Sequence, residues 1–310
     1  MSKDPELEDG PGKRSKTPVR SGIIVVDKPS GLTSHQVVGR LRRLAHTRKV
    51  GHAGTLDPMA TGVLVIGIER ATRLLGHLAL TEKEYLATIR LGIGTVTDDA
   101  EGEVTSRAGA AGVAQNSIID GMAALTGDLE QVPSSVSAIK IDGVRSYARV
   151  RAGDQVELKP RPVRVSVFDL LQRRDLEADG VRVVDLDVRV VCSSGTYIRA
   201  LARDLGRRLD TGGHLTRLRR TRVGTFSIDR AGTLEQLEND LDVIDLATVA
   251  RQSFRSFDLT AEQEVWVRHG RRLPGVELDA GPTALFAPDG QFLALYRFDG
   301  TDAVAEAVFV

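Results

Sequence analysis

The chain has 310 residues, 41% of them hydrophobic and 27% charged, with 42 basic side chains balancing 42 acidic ones. That length suits one large domain with a small one, or two of moderate size, and the apolar content suffices for a packed core. The longest apolar runs, Gly22 to Val26 and Gly62 to Ile68, are strand-sized and exclude a helical membrane span, while a lone cysteine, Cys192, excludes an internal disulfide and a cysteine-rich zinc site.

Residues 1–20 mix both charges without the apolar segment of a signal peptide, so they read as a disordered tail on a cytoplasmic protein. Gly22 to Val26 then forms a buried strand that runs into the turn Asp27-Lys28-Pro29-Ser30-Gly31. Ser34 is placed to cap a helix whose apolar face is Val37, Val38, Leu41 and Leu44. Arg40, Arg42, Arg43, Arg48 and Lys49 follow with no acid between His35 and Val50. Next comes Gly51-His52-Ala53-Gly54-Thr55-Leu56-Asp57-Pro58-Met59-Ala60-Thr61-Gly62, where one carboxylate sits among three glycines, a histidine and a proline. Glycine permits tight paths and close ligand approach, and Pro58 fixes φ just after the acid, so Asp57 is aimed by its backbone. Taken alone, the same spacing also fits a polar turn before the buried run Val63 to Ile66.

A strand follows from Gly62, and another carries Tyr85, Ala87, Ile89 and Leu91 on its buried face. Gly92 to Gly102 is loop-like; it lacks the third glycine of a dinucleotide fingerprint and the ligand spacing of a calcium loop. A helix is expected around Ile118 to Leu125. From Gln131 an irregular, basic excursion extends through Pro160-Arg161-Pro162, long enough inside a compact domain to be functional. Val184, Leu186, Val188, Val190 and Cys192 mark one face of a strand, and Ser193 to Thr196 leads into a helix with Ile198, Leu201, Ala202, Leu205 and Leu209 inward. Tyr197 and Arg199 fall in its first turn. Eight arginines against two acids from Gly195 to Gly224 make a basic segment that the zero net charge conceals. Leu234 to Asp245, with five acids, reads as a solvated helix or connector. Beyond Phe257, short apolar runs at Val265–Val267, Thr283–Phe286, Gln291–Phe298 and Val304–Val310 suit a small β-rich module.

No nucleotide-triphosphate loop, His-Glu-x-x-His motif, paired-cysteine motif or Gly-x-Ser-x-Gly elbow occurs. The candidates for chemistry are therefore an aspartate on a glycine-rich turn, a tyrosine opening a strand and an arginine at a helix start.

Gly51 to Pro58, with Asp27-Lys28-Pro29 upstream, resembles the TruB family of tRNA pseudouridine synthases. The resemblance extends through Lys83-Glu84-Tyr85 before Arg90-Leu91-Gly92, Pro133 to Lys140, Gly195 to Arg199, Leu215 to Arg220, and Val223-Gly224. Order and spacing agree across residues 22–226. The resemblance implies an α+β, antiparallel-rich catalytic domain over residues 21–253, with an RNA-gripping insertion at 133–164, and a small PUA-like module at 254–310. It implies isomerisation of uridine to pseudouridine at position 55 in the T loop of tRNA by a monomer needing no redox cofactor, nucleotide, metal or protein partner.

Asp57 matches the family's catalytic aspartate, and attack on C1′, attack on C6 and removal of the C2′ proton all remain open. Arg199 would pair with it, lower its pKa and keep it charged. Tyr85 would stack on the everted base near C5. His52 resembles the residue that fills the space the base leaves, and Tyr197 would pack beneath the site. Lys28 would bind phosphate or brace the loop. Leu218 and Lys140, inside matched segments, complete the substrate-binding set. Eversion itself costs a few kcal/mol of unstacking, recovered in the pocket and at phosphates. Two other classes compete: a tRNA-binding RNA chaperone whose main role is non-catalytic, and a glycoside hydrolase, which needs a second flanking carboxylate that the sequence does not offer.

Overall fold

A computed structural model of the chain describes residues 20–134, 140–141, 144–145 and 159–310. The expected tail up to residue 19 and most of the expected insertion lie outside the described residues, as does the Lys140 side chain. Ten strands build one large sheet: β1 (Gly22–Lys28), β2 (Val50–Ala53), β3 (Thr61–Ile68), β4 (Lys83–Leu91), β5 (Gly127–Gln131), β6 (Arg161–Ala178), β7 (Val181–Cys192), β8 (Gly213–Val223), β9 (Phe226–Ser227) and β10 (Ile244–Asp245). Their spatial order is β10-β1-β3-β8-β4-β7-β6-β5, with β2 on β3 and β9 on β8. Among the described residues every pairing in this sheet is antiparallel except β3 with β8, where Thr61 and Gly62 meet Arg219 and Arg220. The α+β, antiparallel-rich class expected from the sequence is the observed one.

Period-2 alternation sets the two faces. Tyr85, Ala87, Ile89 and Leu91 of β4 point into a core shared with Val184, Leu186, Val188 and Val190 of β7. That face is covered by α1 (Ser34–Leu44), α3 (Gln115–Ala123), α4 (Ile198–Arg208) and α5 (Leu234–Asn239), each contributing its apolar stripe. On the opposite face polar side chains predominate and pair across strands, with Leu86 exposed among them. Arg90 Nε donates to Asp185 at 2.7 Å, Thr88 Oγ1 to Asp187 at 2.7 Å, and Arg189 Nη2 to Glu84 at 2.8 Å. Polar pairs of this kind let a sheet face meet solvent.

Under β1 and β3 the second face is not left to solvent. Ile23, Val25, Val63 and Val65 pack with Leu75 and Leu78 of α2 (Leu75–Ala79), Val249 and Ala250 of α6 (Leu246–Ser253), and Ala284, Phe286, Phe292, Leu295 and Phe309. The first four of those belong to, and Phe309 directly follows, a five-stranded sheet of β11 (Arg255–Asp258), β12 (Leu273–Pro274), β13 (Thr283–Phe286), β14 (Phe292–Phe298) and β15 (Asp302–Val308), ordered β11-β13-β14-β15-β12. Arg70 Nη1 donates to Phe309 O at 2.9 Å and Arg73 Nη1 to Val308 O at 2.6 Å, fastening this module to the large sheet.

Three local expectations need correction. Thr33, not Ser34, caps α1: its Oγ1 accepts from Gln36 N at 3.1 Å while Gln36 Oε1 accepts from Thr33 N at 2.8 Å, a reciprocal capping box. Val265 to Val267, expected to be extended, is helical in α7 (Ala261–Arg268), because Thr260 and Gln263 make the same box ahead of it. The irregular basic excursion ends at Arg161, where β6 begins; Pro162 is tolerated at its second position, and the strand pairs with β7 over most of its 18 residues.

Candidate active site

The carboxylate-bearing turn spans the gap between β2 and β3 and is clasped from three sides. Ser34, buried at the start of α1, donates through Oγ to Leu56 O at 3.1 Å and accepts from Leu56 N at 2.9 Å. Lys28, fully buried, donates through Nζ to Pro29 O at 2.9 Å, Leu32 O at 2.6 Å and Pro58 O at 3.2 Å. Arg220 Nη2 donates to Gly54 O at 3.0 Å, and its Nε to Val63 O at 2.7 Å. Gly54 itself has φ of +80°, a left-handed conformation that glycine adopts without steric cost. The backbone of the Asp57 turn is thereby fixed through the backbone groups of its neighbours.

From this turn Asp57 faces a cavity of about 280 Å³ whose wall includes Tyr85 of β4, Leu218 and Arg220 of β8, and Tyr197 and Arg199 at the start of α4. Arg199 is 5% exposed, and its guanidinium is shared. Nη2 lies 3.1 Å from Asp57 Oδ2, while Nη1 lies 3.1 Å from Asp99 Oδ2 and donates to Thr97 O at 3.0 Å. Asp99 is buried and further held by Glu101 N at 3.1 Å and by the Thr97 hydroxyl. Tyr197 presents its backbone to Gln131, whose side chain accepts from Tyr197 N at 2.8 Å and donates to Tyr197 O at 3.1 Å. That bond ties the end of β5 to the helix carrying Arg199.

The electrostatics depart from the sequence-based expectation at one point. Asp57's side chain is 37% exposed, but the open part faces the cavity, and protein surrounds the rest. This burial pushes its carboxyl above the ordinary value; Arg199 pulls it down, Asp99 adds to the rise and Lys28 opposes it. Arg199 does lower the carboxyl, as expected, but the net direction is upward. The reason is burial first, with Asp99, which shares the same guanidinium, adding to it. Tyr85 is raised as well, chiefly by burial, which keeps its phenol neutral; the Arg220 charge pulls the other way.

The remaining site residues sort differently. Lys28 is spent on three carbonyls, which overturns phosphate binding as its role and leaves bracing; burial lowers its ammonium to about 8, against an opposing pull from Asp57. His52, in β2, is not part of the cavity wall. It meets His35 edge to face at 5.9 Å between ring centres, and its buried Nδ1 has no hydrogen-bond partner among the described residues. Burial lowers its pKa, with His35 and Arg220 adding to the effect, so it is a neutral ring. Lys140 lies in the short strand Lys140–Ile141, and its side chain is outside the described residues.

Sequence reading missed Asp99, Ser34, Arg220 and Lys83 as members of the site. Asp99 was visible only as part of an acidic loop, and Ser34 only as a helix cap. Arg220 and Lys83 stood within matched segments but carried no assigned role. Among the described residues, no three His, Cys, Asp or Glu side chains gather as a metal site, and no helix is long and apolar enough to cross a membrane.

Comparison with known proteins gives the family of the chain. Residues 42–198 match the profile described as TruB family pseudouridylate synthase (N terminal domain). Residues 199–252 match tRNA pseudouridylate synthase B C-terminal domain, and 254–310 match tRNA Pseudouridine synthase II, C terminal. The protein named tRNA pseudouridine synthase B of Streptomyces griseus is 57% identical over 95% of this chain and 99% of its own. The one of that name from Cutibacterium acnes is 54% identical over 91% and 94%. Among solved structures, a chain of an H/ACA RNP bound to a substrate RNA containing 2′-deoxyuridine superposes with a TM-score of 0.67 at 25% identity, covering 93% of this chain and 85% of that one.

Proposed function

The chain belongs to the TruB family of pseudouridine synthases, and from that premise we propose that it converts the uridine at position 55 in the T loop of tRNA to pseudouridine. The observation that carries the reading is the convergence of Asp57, Arg199, Tyr85 and Leu218 on one cavity, with Asp57 held 3.1 Å from a buried guanidinium. The named relatives support tRNA as the substrate.

In this reading the target nucleotide leaves its stack and enters the cavity, where Tyr85 and Leu218 flank the base. Asp57 acts on the sugar or the ring, the N1–C1′ bond breaks, the base turns, and C5 bonds to C1′. The C5 proton then leaves and N1 gains one, so the product is an isomer of the substrate. Arg199 orients Asp57 and favours its ionised form against the opposing effect of burial. His52, neutral and next to His35, fills the space vacated in the RNA. Lys28, Ser34 and Gln131 are positioning residues. Residues 21–253 form the catalytic domain, 133–164 the RNA-gripping insertion with Lys140 in it, and 254–310 a small PUA-like module; the protein acts as a monomer in the cytoplasm.

Purified protein with an unmodified tRNA transcript is expected to give pseudouridine, read by nuclease digestion and nucleoside chromatography. Asp57→Asn is expected to give none while still retaining the transcript in a binding assay. Turnover by that variant at the wild-type rate would remove Asp57 from the reaction.

A further inference from the structure

Arginines around the site are almost all matched to acids. Arg199 serves Asp57 and Asp99, Arg203 serves Asp98 and Asp204, Arg219 serves Asp27, and Arg222 serves Glu82. Arg220 is the exception. It is 1% exposed, sits beside a bulge in β8, and lines the cavity. Its hydrogen bonds go to the carbonyls of Val63 and Gly54, both neutral. Lys83, also buried and cavity-lining, likewise donates only to carbonyls, Ala79 O at 2.8 Å and Thr81 O at 2.9 Å. Among the described residues neither cation has a carboxylate partner.

A buried, permanently charged guanidinium without a counter-ion is costly to fold around, and its field is not quenched. That field is felt nearby: besides burial, Arg220 helps hold down the pKa of Lys83, Lys28 and His52. Carbonyls at the same places would be satisfied as well by a neutral donor. Bracing the turn therefore does not account for the charge.

We infer that Arg220, seconded by Lys83, supplies the positive field that stabilises negative charge passing onto the uracil ring during catalysis. The inference rests on the proposed reaction, and it holds for each of its three routes. If an Asp57 oxygen bonds C1′, N1 departs with the bonding pair and the ring becomes an anion. If Asp57 takes the C2′ proton, a C1′–C2′ double bond forms as N1 departs with the same pair. If Asp57 bonds C6, the C5–C6 π pair moves onto the ring and O4. In every case one negative charge moves from Asp57 to the base, and it returns to Asp57 when its bond to the substrate, or the proton it took, is given up. A cation already committed to a carboxylate would gain little as that charge moves; an uncommitted one gains fully.

Two tRNA transcripts differing only at the target, uridine or 5-fluorouridine, test this with the full-length protein. Fluorine makes the ring a better acceptor of negative charge, so a defect in stabilising that charge is partly compensated. The single-turnover disappearance of the target nucleoside is measured. Arg220→Gln, which keeps N–H donors but loses the charge, is expected to slow uridine by roughly 10²–10³-fold and 5-fluorouridine by at least about tenfold less. Arg220→Lys is expected to keep the wild-type ratio of the two rates. Lys83→Met is expected to shift the ratio in the same direction as Arg220→Gln, and it decides the matter if Arg220→Gln does not fold. Equal slowing on both substrates by a folded Arg220→Gln or Lys83→Met overturns the inference. Wild-type protein that leaves uridine unchanged overturns the proposed reaction instead.

Discussion

Arg199 carries one charge and faces two carboxylates, which makes the acid-base behaviour of Asp57 a contest with predictable signs. Burial raises the Asp57 carboxyl above its ordinary value, so its ionised form is lost as pH falls through a range higher than that of a solvated aspartate. The acid limb of kcat/KM against pH is expected there. Arg199→Gln removes the opposing cation and is expected to move that limb to higher pH. Asp99→Asn removes a like charge and is expected to move it to lower pH. Both limbs moving the same way would end the sharing account. Ser34 is a second test at this scale. Ser34→Ala leaves Leu56 N and O without their partner in a buried place, an expected loss of about 1–3 kcal/mol in denaturant unfolding, with a reduced kcat because the turn before Asp57 loosens.

At the level of elements, the junction of β3 with β8 decides the site. Gly62 has φ of +100°, and a Cβ there would lie 2.1 Å from the Arg220 carbonyl oxygen. Only glycine lets the strand leaving the Asp57 turn run directly beside the strand carrying Leu218 and Arg220. Gly62→Ala must part them, with an expected destabilisation of at least about 1–3 kcal/mol from backbone strain alone. A variant that melted with the wild type would show that the close approach is dispensable. The strands themselves were legible in sequence wherever alternation was regular, as in Tyr85 to Leu91. β6 was not, because Lys159 and the charged residues around Pro160 to Pro162 read as a continuation of the basic excursion. Its long partnership with β7 is a tertiary fact. Helix α7 was misread for a similar reason: three residues are too few to tell a strand from one turn of helix, and the deciding signal was Thr260 and Gln263 ahead of them.

Across the whole molecule, the C-terminal module completes a core that the large sheet cannot close alone. Phe286, Phe292, Leu295 and Phe309 cover Ile23, Val25, Val63 and Val65, and Arg70 and Arg73 fasten the carbonyls of Phe309 and Val308. Deleting 254–310 is therefore expected to expose that apolar face, lowering the melting temperature and the soluble yield; a truncated protein as stable as the full chain would refute this. The module is also acidic from Leu273 onward, with six acids against Arg297. RNA contact is expected on the basic segments instead, with an affinity that falls steeply as salt rises.

The sequence by itself determined the strands and helices whose periodicity was clear, the aiming of Asp57 by glycine and proline, and the order of segments that places the chain in its family. These are properties of neighbouring residues and survive without knowledge of the fold. Tertiary structure decided which charges meet. Arg199 and Asp99 are 100 residues apart, and Arg220 reaches Val63 across 157. Whether a cation is neutralised or left free depends on which chain segments the sheet brings side by side and how deeply it buries them. Spacing along the chain does not carry that information, so the sharing of Arg199 and the freedom of Arg220 became visible only in three dimensions.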